Sequence, residues 1–271
     1  MKRKRTELIL FAVSVMLVAA LSGCSIFPLI KDYEEMCAGD FRYIVVDDYE
    51  IVNGKEKKCK SVAIVGFSWS GIESEVIDIP QKLDGKPVRY IGYQYRTSFA
   101  GRQYHLHSDN LKKMYISENV SSIYTEAFYA LRENGEEPVF DVMLCAVKNP
   151  SDLFYYSHGI IFYLYRHVYE DMREEFLAKY PDRIEDFESK YHRANVTFKN
   201  NYSDEVNGGY YRLDNVAPGE TVPMPPAPER DGYAFIGWYT EAECVNAWNF
   251  DVSPELSEDS DFILYACWHK K

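Results

Sequence analysis

The chain has 271 residues, with 30 Lys and Arg against 42 Asp and Glu, so its formal net charge is -12 at pH 7. An acidic chain of this kind predicts no nucleic-acid partner and no electrostatic attachment to anionic lipid. Its hydrophobic content of 46% and its 23 Tyr exclude a disordered chain, and its length allows two domains with their own cores.

The N-terminal segment has the build of a bacterial lipoprotein signal. Four basic residues, 2–5, precede an uncharged apolar run, residues 8–21, which is shorter than the ~20 residues of a membrane-spanning helix. The run ends in Leu-Ser-Gly-Cys, in which small residues admit a peptidase and Cys24 offers its thiol to lipid. We therefore expect a signal peptide at 1–23 and a mature chain that begins with an acylated Cys24.

The anchor has two alternatives. The segment could be an ordinary cleaved signal with a chance cysteine, or an uncleaved N-terminal anchor. In the lipoprotein interpretation, acyl chains such as palmitate hold the protein on the membrane without a spanning helix, since each buried methylene contributes ~0.8 kcal/mol. Residues 24–40 then form a membrane-proximal tether.

Five cysteines remain once Cys24 is assigned to lipid, and an odd number leaves at least one thiol unpaired. Cys37 with Cys59, and Cys244 with Cys267, are conceivable disulfides, and the spacing does not decide between bridged and reduced. The sequence has no Cys-x-x-Cys motif, so it predicts no zinc site.

A hairpin opens the first domain. Residues 41–46 and 61–67 are runs rich in β-branched and aromatic side chains, and Asn53-Gly54 between them is a turn signal.

A weak internal repeat follows the hairpin. Ile77 and Ile79 correspond to Met114 and Ile116 at an offset of 37 residues. Val88 and Ile91 correspond to Val120 and Ile123 at an offset of 32, because an insertion carrying Asp84-Gly85 lengthens the first copy.

This pattern resembles the BspA-type leucine-rich repeat of bacterial surface proteins, over roughly residues 42–165. The resemblance implies a short solenoid of a few coils, with later strands at 139–144 and 160–165. Two features depart from the family: Tyr95-Arg96 replaces its Ala-Phe, and residues 102–110 lengthen a connection.

The hydrophobic period then changes to that of a helix. Apolar residues recur every fourth position from Val168 to Tyr180, and Pro181 ends the run. Asp182 with Glu185 is typical of a capping box and predicts a second short helix that extends to Tyr191. We expect both helices to form a C-terminal cap on a leucine-rich-repeat-like domain at 41–193.

The last segment, 194–271, carries several motifs. They are a strand at 196–198, a turn at 207–209, a proline run at 223–228, and aromatic segments at 230–240, 248–251 and 264–268. Together they are similar to the Listeria–Bacteroides repeat, the B-repeat module of internalins, which implies a small β-grasp-like fold. Strand alternation directs Leu264, Ala266 and Trp268 to the core and Cys267 outwards, which argues against a buried structural role for Cys267.

The sequence gives only weak signals for a metal-binding or catalytic site. His105, His107 and Asp109 could bind a metal ion, but an exposed polar loop explains them better. Glu255, Glu258, Asp259 and Asp261 match no calcium-loop spacing and indicate a solvated loop. Ser68 and Ser70 have no neighbouring base in the sequence to activate them. We therefore expect no enzyme, no catalytic residue, no cofactor and no metal site.

The sequence as a whole predicts a β-rich protein with some helix, on the extracytoplasmic face of a bacterial membrane. Its expected partners are the membrane, through lipid on Cys24, and a protein or glycan of unknown identity. The alternative is a glycan- or peptidoglycan-binding envelope protein that uses exposed aromatic rings. An enzyme built from scattered residues is the third hypothesis.

Overall fold

The structure is a computed structural model. It describes residues 33–52, 54–92, 94–95, 102–103, 106, 108–117, 119–124, 127, 140–145, 160–202, 206–257 and 261–271. The predicted signal peptide, Cys24 and most of the predicted tether lie outside these residues.

The described chain is β-rich, as the sequence predicts. In chain order the strands are β1 (Met36–Ala38), β2 (Phe41–Val52), β3 (Lys55–Phe67), β4 (Val76–Ile79), β5 (Lys82–Leu83), β6 (Lys86–Ile91), β7 (Gln94–Tyr95), β8 (Arg102–Gln103), β9 (Lys113–Ile116), β10 (Ser122–Ile123), β11 (Phe140–Leu144), β12 (Ile160–Leu164), β13 (Tyr191–Arg193), β14 (Val196–Lys199), β15 (Tyr210–Asp214), β16 (Tyr233–Tyr239) and β17 (Phe262–Lys270).

The helices of the described residues are few and short. They are α1 (Trp69–Glu73), α2 (Arg166–Lys179), α3 (Ile184–Glu188) and a 3-10 turn, Val206–Gly209. Among the described residues, no helix has the length and apolar character needed to cross a membrane.

The first sheet begins with the predicted hairpin and has the strand order β1-β2-β3-β6-β10, with β5 paired to β6. Strands β2 and β3 are antiparallel along 12 residue pairs, from Phe41 with Phe67 to Val52 with Lys55. Gly54 adopts a φ of 74°, the left-handed conformation that the turn signal predicts. Strand β6 pairs in parallel with β3, and β10 pairs in parallel with β6.

The second sheet, which we call the parallel sheet, has the order β4-β9-β11-β12-β13, and each neighbouring pair is parallel. Its spatial order is therefore the chain order. Ile77 lies beside Met114 and Ile79 beside Ile116, at the offset of 37 that the repeat predicts. In the first sheet Ile91 lies beside Ile123, at the predicted offset of 32.

The two sheets enclose one hydrophobic core. Ile77, Ile79, Met114 and Ile116 from the parallel sheet are buried together with Ile91 and other residues of the first sheet. Between β3 and β10 the chain visits the sheets alternately, since β4 precedes β6 and β9 precedes β10. Each copy of the repeat thus supplies one strand to each sheet.

The helical stripe is confirmed for Val168 and Met172, but Tyr180 at its end is exposed, and the predicted cap differs. Val168 and Met172 of α2 are buried, and the helix ends at Lys179. The capping-box prediction is wrong, because α3 begins after Arg183, which makes no side-chain cap bond. Tyr191 lies in β13 and not in a helix, so both helices connect β12 to β13 and lie within the parallel sheet's chain order.

The C-terminal module, residues 194–271, has a four-stranded sheet in the order β15-β14-β17-β16. Its first and last strands, β14 and β17, are parallel neighbours at the centre, and the outer pairs are antiparallel. Its separate core contains Phe198, Trp238, Leu264 and Ala266, with Trp268 packed against it. The predicted alternation of β17 is therefore confirmed for these residues.

Candidate functional site

The C-terminal module covers the outer face of the parallel sheet. Asp214, at the end of β15, is 1% exposed and lies against Lys113 and Tyr115 of β9. Its carboxylate accepts bonds from the Lys113 ammonium at 2.8 Å, the Tyr115 hydroxyl at 2.7 Å and the Asn215 backbone amide at 2.8 Å. Burial, followed by the charge and hydrogen bond of Asp214, raises the pKa of Tyr115. The hydroxyl therefore stays protonated and donates to the carboxylate.

Arg212, two residues earlier on the same face of β15, makes the next contact. Its guanidinium lies 3.4 Å from the centre of the Tyr115 ring and pairs with Asp78, which follows Ile77 in β4. Burial alone would lower the pKa of Arg212, but the neighbouring Asp78 carboxylate, with Cys145 and Tyr115, raises it. The Arg212 side chain is 12% exposed, so it is largely buried in the contact between the modules.

A second set of contacts joins the start of α2 to the C-terminal module. Arg166 donates to Asp261 at 2.9 Å, and both side chains are largely buried. The ring of Tyr210 lies 4.6 Å from that of Tyr165 and 4.7 Å from that of His167. Asp261 was predicted to lie in a solvated loop, and that prediction is wrong because Arg166 draws its carboxylate into the interface.

The contact between the modules leaves a cleft of about 440 Å³ at the carboxyl ends of three strands of the parallel sheet. Residues that follow β4, β9 and β11 form its floor, and the proline-rich segment of the C-terminal module forms its opposite wall. The residues that line the cleft include Pro80, Ser117, Cys145, Arg212, Pro226 and Pro228. The cleft exists only while the C-terminal module remains docked on the parallel sheet.

The polar groups of the cleft include the Ser117 hydroxyl, the Cys145 thiol and the guanidinium of Arg212, which is already paired with Asp78. The Ser117 hydroxyl is buried and has no hydrogen-bond partner among the described residues, and the Cys145 side chain is buried. The Tyr211 hydroxyl donates to the Pro226 carbonyl at 2.9 Å and holds the proline wall in place. Across the described ranges, no group of three or more His, Cys, Asp or Glu side chains is arranged to hold a metal ion.

A second candidate surface is Trp69, the first residue of α1, which is 86% exposed. Its helix is held by the turn before β2. The Ser68 backbone amide donates to the Asp40 carbonyl at 2.9 Å, and the Ser70 hydroxyl donates to the Asp40 carboxylate at 2.7 Å. A Cβ at Gly71 would clash with the Asp40 carbonyl oxygen, so only glycine permits this approach. Trp69 is thus a large exposed ring on a fixed backbone.

These bonds also explain the two serines. Ser68 caps α1 by accepting from the Gly71 amide, and its hydroxyl lies 2.9 Å from that of Ser70. A carboxylate, Asp40, does lie beside Ser70, which the sequence did not suggest. Its role here is to accept a bond that holds the helix.

Comparison with known proteins identifies the C-terminal module. Its residues 194–267 match the Listeria–Bacteroides repeat domain family. The module is similar to that repeat. A protein of Evansella cellulosilytica, named as a candidate membrane protein, is 40% identical over 67 residues, which is 24% of this chain and 10% of that protein. The chain thus spans about a tenth of that relative's length.

The C-terminal module contains a disulfide bond. Cys244 and Cys267 form a disulfide with a Cα–Cα distance of 5.8 Å. Cys267 lies in β17 opposite Gly237 of β16 and has the outward direction that alternation predicts. Its structural role lies on this outer face, where the disulfide, one of the two conceivable pairs, ties β17 to the loop carrying Cys244.

The other conceivable disulfide does not form. Cys37 lies beside Arg42, whereas Cys59 lies beside Asp48, six residues further along β2. At ~3.3 Å per residue the two cysteines are about 20 Å apart, well beyond disulfide reach. Both carry thiols.

Several predicted site residues fall outside the described residues: Cys24, His105, His107, Glu258 and Asp259. Asp109 is described and exposed. The residues that join the modules were not predicted from the sequence. Asp78, Lys113, Arg212 and Asp214 alternate with apolar neighbours in their strands, so the pattern marks them as outward-facing and solvated. Nothing local indicates that a second sheet covers them.

Proposed function

We propose that the protein is a membrane-anchored lipoprotein of the bacterial cell envelope that binds a macromolecular partner and catalyses no reaction. Acyl chains on Cys24 would hold it on the extracytoplasmic face. The C-terminal module supports this proposal through its similarity to the Listeria–Bacteroides repeat, a module of surface proteins. The single structural observation on which partner binding rests is Trp69, an exposed side chain on a fixed backbone.

We infer that residues 41–193 form a short leucine-rich-repeat-like solenoid. The parallel pairing of β4, β9, β11 and β12 in chain order supports it, as do the repeat offsets of 37 and 32 residues between adjacent strands. Helices α2 and α3 would shield its last part, and the C-terminal module would be β-grasp-like, with parallel central strands. The solenoid's outer face is not free for a ligand, because β15 covers it.

The direction of the chain supports an outward position for Trp69. Tyr33 packs against the cluster formed by Ile44, Val46, Ala63 and Val65, and the β1–β2 register continued backwards brings it to the level of Val46. The described chain therefore enters the domain near the middle of the hairpin. Trp69 follows Phe67, which pairs with Phe41 at the opposite end of that hairpin. The distance along the strand from the level of Val46 to Phe67 is about 20 Å. A tether on the side of Tyr33 would therefore leave Trp69 pointing away from the membrane.

An exposed indole on a fixed backbone is suited to binding, because the backbone is already ordered and a partner immobilises only two side-chain torsions. Tryptophan residues of this kind dominate many interfaces, where their truncation costs at least ~2 kcal/mol. The flat face of Trp69 also favours the second candidate function, stacking on a sugar ring of a glycan or of peptidoglycan.

The test is a screen of the mature protein against glycan arrays, envelope polymers and host matrix proteins. For any partner found, Trp69→Ala should lower the affinity by about tenfold or more. Tyr180→Ala, at a side chain that is 37% exposed at the end of α2, is the matched control and should leave affinity unchanged. Equal affinities for the wild type and Trp69→Ala would refute the role of Trp69. Partners that are all glycans would favour the second function, and turnover of a polymer would refute both.

A further inference from the structure

The outer half of the β2–β3 hairpin projects from the first sheet as a two-stranded ribbon, which we define as residues 47–52 and 55–60. Strand β1 pairs with β2 only at residues 41–43, and β6 pairs with β3 only at residues 62–64. Arg89 and Tyr90 reach the base of the ribbon at Asp48. Beyond that level, the described strands of the ribbon pair only with each other.

The end of the ribbon exposes apolar side chains. Tyr49 is 59% exposed, Ile51 69% and Val52 40%. Tyr49 and Ile51 are two residues apart and share one face, while Val52 lies on the other. These exposed apolar side chains add no stability in water, because no hydrophobic core lies beneath the end of the ribbon.

The same end, residues 49–52 and 55–58, carries three lysines against two glutamates, so its net charge is +1, unlike that of the acidic chain as a whole. Lys58 lies opposite Tyr49, and Lys55 lies opposite Val52, so each face combines a cation with an apolar side chain. Glu56 lies opposite Ile51 and adds one carboxylate to the first of these faces. Lys60 pairs with Asp47 at the base of the ribbon, and Lys57 pairs with Glu50 at a level between Tyr49 and Ile51. Lys55 and Lys58 have no acidic partner in the part of the chain that the structure describes.

The path of the chain indicates what the ribbon faces. Strand β1 is antiparallel to β2, with Ala38 beside Phe41 and Met36 beside Tyr43, so tracing it backwards leads towards the ribbon. Tyr33 continues this path and packs against the cluster that contains Val46. The polypeptide before Tyr33 therefore joins the domain on the side from which the ribbon projects.

The lengths agree with a shared surface. Nine residue steps separate Cys24 from Tyr33, and an extended chain of that length spans at most about 30 Å. The ribbon continues from the level of Val46 to Val52 for about 20 Å. An anchor at Cys24 and the end of the ribbon can thus touch the same bilayer.

We propose that the end of the ribbon is a second membrane contact, which inserts Tyr49, Ile51 and Val52 into the headgroup region of an anionic bilayer. This inference rests on the proposed lipid anchor. Tyrosine is favoured at the membrane interface because its ring is apolar and its hydroxyl polar. The ammonium groups of Lys55 and Lys58 reach the lipid phosphates while their methylene chains lie along apolar surface. The contact fixes the orientation of the domain on the membrane and directs Trp69 outwards.

The test places a fluorescent reporter on the ribbon of the acylated full-length protein. The protein is reconstituted into vesicles of phosphatidylcholine and phosphatidylglycerol, with or without bromine on the lipid chains. In Tyr49→Trp, bromolipid should lower the added tryptophan emission by about twofold or more, because the ring lies at the interface. Tyr180→Trp, at the end of α2, is the matched control, and its added emission should be unaffected.

Charge is tested in the same background. The double change Lys55→Glu and Lys58→Glu should reduce the quenching of Tyr49→Trp by at least about half, since the lysines bind anionic headgroups. Lys270→Glu with Lys271→Glu makes the same change in net charge on the C-terminal module and should leave quenching unchanged.

Two failures are distinguishable. Acylated protein that floats with the vesicles and shows no added quenching overturns the ribbon contact and leaves the anchor intact. A ribbon covered by a second copy of the chain would give this result. Protein that mass spectrometry shows to lack acyl chains overturns the anchor, and the ribbon contact with it.

Discussion

The Tyr115 hydroxyl donates a hydrogen bond of 2.7 Å to the Asp214 carboxylate, although the two residues lie 99 positions apart in the chain. Asp214 is buried and also pairs with Lys113, so this contact joins the two sheets next to Leu213 of β15, which belongs to the core of the first domain. A buried carboxylate with these partners holds the C-terminal module in one orientation on the parallel sheet, because loss of any partner leaves a buried polar group unsatisfied.

We expect Asp214→Ala to lower the free energy of unfolding by ~3 kcal/mol, because it leaves the Lys113 ammonium and the Tyr115 hydroxyl without their acceptor. Tyr115→Phe should cost ~1–2 kcal/mol. The double variant should cost less than the sum of the two, since both changes remove the same bond. Urea denaturation measures each value, and Asp251→Ala, at an exposed carboxylate, is the control. Strictly additive costs would show that the two side chains are not coupled.

The pH dependence of stability should contain a contribution from Asp48 at the base of the ribbon. Burial alone would raise the pKa of Asp48. Hydrogen bonds from the Ser61 hydroxyl, the Tyr49 amide and the Tyr90 hydroxyl, together with the Arg89 charge, outweigh burial and lower the pKa. The unfolded chain then binds a proton more readily than the folded chain, so this stabilisation is present above a pH of about 4 and is lost as pH falls through the folded pKa.

Asp48→Asn should therefore cost roughly 2 kcal/mol at neutral pH, and its difference from the wild type should shrink as the pH falls below about 4. Thermal unfolding across this pH range measures the change. Asp251→Asn should show no such pH-dependent difference. A cost of Asp48→Asn that stays constant with pH would contradict the assignment.

The Cys244–Cys267 disulfide should stabilise the C-terminal module. It closes a loop with a sequence separation of 23. The bridge lowers the conformational entropy of the unfolded chain, which stabilises the folded module by ~3 kcal/mol. Cys244→Ser with Cys267→Ser should lower the unfolding temperature of the module, and a reductant should lower that of the wild type but not of the variant. Thiol titration of the denatured, acylated protein should detect Cys37, Cys59 and Cys145, and two further thiols would disprove the bridge.

Acylation of Cys24 is a prediction from the sequence. Cys24→Ala should leave an uncleaved precursor that takes up no radiolabelled fatty acid, since both lipid transfer and cleavage need the thiol. Gel mobility and mass spectrometry of the N-terminal peptide measure the outcome. Ser22→Thr, which leaves the cysteine in place, is the control and should still be labelled. An unmodified Cys24 within an intact N-terminal peptide of the wild type would refute the anchor.

The local elements of this protein follow from its sequence. Ile77 and Ile79 alternate with polar residues and lie side by side with Met114 and Ile116 at the predicted offset. Val168 and Met172 face the core at helical spacing, and the motifs of the C-terminal module were sufficient to suggest its family. These features are predictable because burial repeats with the period of the backbone, which is two residues in a strand and 3.6 in a helix.

The arrangement of the modules was decided only by the tertiary structure. Asp214, Arg212 and Asp261 look like solvated strand and loop residues, yet they bind Tyr115, Asp78 and Arg166 across the interface. The disulfide was one of two open pairings until β17 and the Cys244 loop were brought together. A sequence pattern reports which side of a strand is apolar, but it carries no information on which distant surface will cover the polar side. Which surfaces pair depends on the shapes and charges of both modules, and so it is decided only when the modules pack together.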